Sequence, residues 1–199
     1  MRTGIRMTAR AASIWALAVP LLLLAAGAGR VRADDVPEPP GLWTGPMYGE
    51  TPPTLSGASV VDADGVAALL AQKPLLLDVG PAPRKPETLP KDRPWLPTHR
   101  SLPGATWMPG AGLVPLDAGR EALFRRRIDE LAGGDKAKPI VVFCQPACWG
   151  SWNAGKRLVL QGYTRVHWFP AGIDGWQELH DTAEVQQDAA WSASRPDDR

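Results

Sequence analysis

The strongest constraint on the fold is the run Val141-Val142-Phe143-Cys144-Gln145-Pro146-Ala147-Cys148-Trp149-Gly150-Ser151-Trp152. Residues 139–143 form a short apolar stretch of β-type, and residues 151–161 carry Ala154 and Leu158 on one helical face with Gly162 as a stop. The chain's only two cysteines lie between them, at i and i+4. Backbone N–H groups and a helix dipole converge at such a strand-to-helix junction, and both favour a thiolate.

The same alternation continues along the chain. Strand-like runs at 58–61, 75–79, 105–108, 139–143 and 166–169 are separated by helical patterns. Asp62 or Asp64 can cap a helix carrying Val66, Leu69 and Leu70. Phe124, Ile128 and Leu131 mark a second helix ended by Gly133-Gly134, and residues 173–179 suit a short one. This order predicts a single α/β domain, a parallel sheet of about five strands with helices on both faces. Sites in such sheets form outside the carboxyl ends of the strands, where Cys144 and Asp78 fall.

The first 33 residues read as an export signal. Arg2, Arg6 and Arg10 precede an apolar run from 11 to 28, and Val31-Arg32-Ala33 offers a small-residue cleavage site. The run is short against the roughly 20 apolar residues of a membrane span. The expectation is therefore export to the periplasm, with no stable membrane insertion after signal cleavage. Cleavage removes five arginines and no acid, leaving 17 basic against 21 acidic residues, a net charge of −4 where the full chain has +1. That balance gives no reason to expect nucleic acid as a partner. Residues 34–57 read as an extended Pro/Gly-rich arm that Trp43, Met47 and Tyr48 can dock. Residues 58–180 read as the domain and 181–199 as a flexible tail. Residues 81–103 hold seven prolines with Arg93, His99 and Arg100, and a loop that long in a compact domain is commonly functional or disordered.

Leu75-Leu76-Leu77-Asp78-Val79, the segment around Leu102-Pro103-Gly104-Ala105, Val141-Val142-Phe143-Cys144, and Gly162-Tyr163 followed by Gly172-Ile173-Asp174-Gly175-Trp176 occur in the order of a rhodanese-like domain, which residues 58–180 resemble. More narrowly, Cys144-x-x-x-Cys148-Trp149 with Ser151-Trp152-Asn153-Ala154 and Lys156-Arg157 resembles an exported rhodanese-like family named for its CXXCW motif and associated with PQQ-dependent alcohol catabolism. That resemblance implies a thiol-redox or sulfur-relay accessory protein. The partner it implies is a periplasmic redox protein, such as a PQQ-dependent dehydrogenase or its electron acceptor. Two departures from ordinary sulfurtransferases stand out. Trp149 or Gly150 occupies the place of the loop's arginine, and Gly80 follows Asp78-Val79 where an arginine is common. Thiosulfate transfer is therefore expected to be absent or feeble. A Cys-x5-Arg phosphatase loop is excluded, because Gly150 stands six residues after Cys144.

Cys144 can be a small buried hydrophobe and no more, and three uses of the cysteine pair stay open beside that on the residues alone. In the first, Cys144 attacks and Cys148 resolves, with Gln145, Trp149, Ser151, Trp152 and Asp78 in supporting places, Asp78 chiefly by tying its strand end to loop backbone N–H groups and otherwise by orienting the cysteine loop. Trp149 and Trp152 then shield the sulfur or offer a partner a flat apolar surface, unless they are plain core. Gln145 and Asn153 can donate to an anion. In the second, the pair is a structural disulfide, although so short a loop contributes only roughly 2 kcal/mol. In the third, Cys144, Cys148 and His167 hold copper or another soft metal, as in thioredoxin-like copper chaperones. Those place the motif after the first core strand, whereas residues 58–143 precede it here. A non-catalytic docking module is a further alternative. The residues imply no cofactor. His99, Arg93 and Arg100 can direct positive charge at the cysteines, while Arg125-Arg126-Arg127 and Lys156-Arg157 read as solvated helix faces.

Overall fold

A computed structural model describes residues 36–193 apart from 91, 96 and 97. The expected export signal and the last six residues lie outside the described residues. Among the described residues no helix is long and apolar enough to cross a membrane.

The strands are β1 (Ala58–Val60), β2 (Leu75–Asp78), β3 (His99–Ser101), β4 (Thr106–Trp107), β5 (Ile140–Phe143), β6 (Val166–Phe169) and β7 (Ala183–Val185). The helices are α1 (Ala63–Leu69), α2 (Ala118–Ala132), α3 (Trp149–Leu160), α4 (Gly172–Gln177) and α5 (Ala189–Ser192). Five strands form one parallel sheet in the order β1-β6-β5-β2-β4, so β5 is central and delivers Cys144 at its carboxyl end. The expected α/β architecture is the one found.

Period-two alternation explains the two layers. Ile140, Val142 and Cys144 pack with Leu123, Phe124 and Ile128 of α2 and with Ala154 and Leu158 of α3. Val141 and Phe143 face the other way, against Val66 of α1 and Ile173 and Trp176 of α4. Local chemistry sets the helix ends. Asp62 caps α1 by accepting the Gly65 N–H at 2.8 Å, Asp117 caps α2 through the Arg120 N–H, and Gly133 ends α2.

The chain beyond 180 corrects the expected flexible tail over residues 181–193. β7 pairs antiparallel with β3, placing a strand inside the proline-rich segment as well. α5 then seats Trp191, which is fully buried, edge-on to Phe124, with Arg120 3.4 Å above its ring and its indole N–H donating to the Pro109 carbonyl. The sequence hides this because the anchors, Val185 and Trp191, are isolated apolar residues with no period between them. The solvated-face reading of residues 125–127 is corrected at Arg127, which binds Asp188 at 2.8 Å and so ties α2 to this segment.

His167 lies in β6 between Ser59 and Val141, and both ring nitrogens are buried without a partner among the described residues. Burial, assisted by the Arg165 charge, holds its pKa below the ordinary value of 6.5. The unfolded chain therefore takes up this proton first. Stability is complete above pH 6.5 and is lost as pH falls through the folded pKa. Denaturation midpoints measured from pH 7.5 to 5 should fall for the native protein and fall less for His167→Leu.

Candidate functional site

Residues 144–148 turn from the end of β5 into α3. Two close approaches fix the turn. The Cys144 carbonyl accepts the Ile173 N–H at 2.9 Å, and a Cβ on Gly172 would collide with that carbonyl. Ala147 takes a left-handed conformation with φ 50°, which is uncommon outside glycine. The turn leaves Cys148 as the residue preceding α3, in extended conformation.

Cys144 and Cys148 are joined as a disulfide with their Cα atoms 6.7 Å apart. The two sulfurs are not equivalent. Both pack into the same core cluster, where Cys144 is 1% exposed with its Sγ 3.5 Å from the Gln145 carbonyl. Cys148 is 6% exposed and forms part of the wall of a cavity of about 220 Å³, with Met47, Tyr48, Val79, Pro81 and Leu113. Among the described residues that line it, none is charged. A Cβ on Gly150 would lie 3.3 Å from Cys148 Sγ, so the missing side chain there leaves room beside the sulfur.

The arm docks as expected, and it docks on this loop. Tyr48 faces Cys148 as an antiparallel bridge, Gly49 N–H donates to the Ala147 carbonyl at 3.0 Å, and Trp149 N–H donates to the Met47 carbonyl at 2.8 Å. That last bond occupies a backbone donor at the start of α3 that would otherwise be open to an anion. Trp43 stacks on Trp149 with centroids 4.2 Å apart. Asn153 accepts the Trp43 N–H at 2.8 Å and donates to the Trp43 and Gly112 carbonyls at 3.0 and 3.1 Å.

Several expected roles are therefore corrected. Asn153 is fully buried and engaged with backbone, so it is not open to an anion. Trp149 and Trp152 are core beneath the arm, with the Trp152 indole N–H on the Thr54 carbonyl, and offer no flat face to a partner. Ser151 donates to the Cys148 carbonyl at 3.1 Å and accepts from the Trp168 indole, bracing the first turn of α3.

Asp78 lies on the sheet face opposite Cys144 and does not orient the loop. Its carboxylate accepts the Gly80 N–H at 2.7 Å, the Ser101 hydroxyl at 2.6 Å and lies 2.7 Å from His99 Nε2. His99 is thereby committed to Asp78, and Arg100 to Thr182, so neither directs charge at the cysteines. Among the described residues no three of His, Cys, Asp and Glu gather into a metal-holding group, and His167 does not join Cys144 and Cys148.

The sequence reading missed the second wall of the cavity. Arg157, read as solvated, is 3% exposed. It binds Glu121 at 2.9 Å and donates to the Ala111 and Leu113 carbonyls at 3.2 and 2.9 Å. With Asn153 it clamps residues 111–113 onto α3, close enough that a Cβ on Gly112 would overlap the Gly150 carbonyl. The small-residue run Gly110-Ala111-Gly112 was the available signal of such an approach. Arg157→Met should cost about 2–3 kcal/mol in urea unfolding, because three backbone and carboxylate acceptors lose a charged donor.

A search of curated proteins finds no match to the chain. Among solved structures it is similar to a Bacillus halodurans protein at 20% identity, covering 63% of this chain and 76% of that one with a TM-score of 0.39. It is also similar to the rhodanese-like domain of an Anabaena protein, at 16% identity, 71% and 86% coverage and a TM-score of 0.39. An uncharacterised Saccharomyces cerevisiae protein matches at 15% identity, 60% and 91% coverage and a TM-score of 0.37. The model of the rhodanese-like domain matches residues 62–179, more than half of the sequence and the whole span from α1 through α4. The chain belongs to the rhodanese-like domain family.

Proposed function

We propose that this protein is an exported, periplasmic thiol–disulfide exchange protein whose working group is the Cys144–Cys148 pair, accessory to PQQ-dependent alcohol oxidation. The observation that carries the exchange reading is that, of the two joined and buried cysteines, Cys148 is the one that also lines the cavity. The export signal and the CXXCW-type resemblance support the setting, with a PQQ-dependent dehydrogenase or its electron acceptor as partner.

On this reading the roles run in the order opposite to that read from sequence. A partner thiolate attacks Cys148 Sγ, the Cys148–Cys144 bond breaks, and Cys144 leaves as a thiolate that takes up a proton. A second thiol on the partner displaces Cys148 from the mixed disulfide, leaving this protein with two thiols and the partner with a disulfide. In the reverse direction Cys148, at the positive end of α3, is the attacking thiolate and Cys144 resolves. Soft-metal binding through His167 lacks geometric support.

The test is to titrate alkylation rate against pH for both single-serine variants. Cys144→Ser should retain the thiol that reacts about tenfold faster at pH 7 and titrates lower, and it should trap mixed disulfides. A lower-titrating thiol in Cys148→Ser would restore Cys144 as the attacking group.

Thiosulfate-to-cyanide transfer should be absent or feeble. An anionic donor finds no charged residue among those described around the cavity, and the Trp149 N–H is already bound to Met47. Losing one charge-assisted hydrogen bond, about 1.5–3 kcal/mol, lowers affinity or rate by about one to two powers of ten. Robust turnover in a standard assay would contradict this.

A further inference from the structure

The cavity beside Cys148 is lined by uncharged residues alone among those described. Beside Cys148 and Gly150, its walls come from three separate parts of the chain: Met47 and Tyr48 of the arm, Val79 and Pro81 following β2, and Leu113 of the clamped 111–113 segment. Every one of these side chains is uncharged. Tyr48 and Leu113 are 58% and 48% exposed and form the rim, while Cys148 is 6% exposed. A volume of about 220 Å³ holds roughly nine non-hydrogen atoms, scaled from the 150 Å³ cavity that accepts benzene.

We infer that the cavity is a binding site for a low-molecular-weight, uncharged thiol carrying an apolar group, which seats that group against Met47, Val79 and Leu113 while its sulfur meets Cys148. This rests on the exchange reading of the pair. The lining selects against ionic thiols, because a carboxylate or sulfonate entering it leaves water without gaining a counter-charge. The volume, room for roughly nine non-hydrogen atoms, sets the size of the group the site takes. The step balances as ordinary exchange. The thiolate RS⁻ forms a bond to Cys148 Sγ as the Cys148–Cys144 bond breaks, Cys144 is protonated, and a second RSH releases RSSR and leaves the protein with two thiols.

The test uses the oxidised native protein and follows disulfide opening by benzyl mercaptan, 2-mercaptoethanol, 2-mercaptoethanesulfonate and a short peptide with cysteine between two leucines. Rates are taken per thiolate and divided by those on a small unstructured reference disulfide. Benzyl mercaptan should exceed 2-mercaptoethanesulfonate by about tenfold or more, from burial of its ring. Leu113→Lys, at an exposed rim position, should abolish that preference and speed the sulfonate. Equal relative rates for all four overturn the inference and leave exchange standing. A peptide that outpaces benzyl mercaptan overturns it in favour of a polypeptide occupant. A folded protein whose disulfide none of the four opens overturns the exchange reading itself.

Discussion

Gly172→Ala should destabilise the protein by about 3 kcal/mol or more in urea unfolding, and should disturb the cysteine loop before any other part of the fold. Gly172 has φ +55°, a left-handed conformation that costs a residue with a Cβ about 1–2 kcal/mol. The added carbon would also lie 2.8 Å from the Cys144 carbonyl carbon and closer still to its oxygen. Both are backbone atoms, and the carbonyl is held by the Ile173 N–H, so neither side can yield cheaply. Gly133→Ala is the matched control. It shares the positive φ, at +66°, but meets nothing within 4 Å, so only the conformational cost of about 1 kcal/mol applies. Equal losses in the two variants would mean that the close packing of α4 on the loop is unimportant.

Trp191→Ala should cost about 3–5 kcal/mol, the loss expected for a large aromatic deleted from a packed core. Trp191 is the last large side chain in the described chain, and it closes the layer formed by Phe124 and Arg120 of α2. Its indole N–H satisfies the Pro109 carbonyl, next to the segment that forms the cavity's second wall. Truncation after residue 180 should match or exceed the point variant, since it also removes β7 from β3 and Asp188 from Arg127. A truncated protein as stable as the native one would show that residues 181–193 are dispensable to the fold.

The layers of this protein were legible because their signals are redundant. β2 and β5 are short apolar runs, α1 and α2 start at capping aspartates, and α2 ends at a glycine. Asp62, Gly133 and Gly162 do in the structure what their types suggest. What escaped the sequence rests on single residues whose partners are distant. Arg157 has the composition of a solvated helix residue, yet its guanidinium reaches carbonyls more than forty positions away. Trp191 has no periodic neighbours, and its burial depends on α2 and residue 109. In the cysteine loop, spacing located the pair but gave no measure of relative access. That depends on Met47 and Tyr48 of the arm and on Leu113, which sequence cannot place beside Cys148.

The central claim is that the Cys144–Cys148 disulfide opens at Cys148. The most direct measurement is a short pulse of thiol on the oxidised native protein, an acid quench, maleimide alkylation and tandem mass mapping of the peptide holding both cysteines. The account predicts the thiol adduct on Cys148 and maleimide on Cys144. Thiol on Cys144 with maleimide on Cys148, or a disulfide left intact in the folded protein, would contradict it.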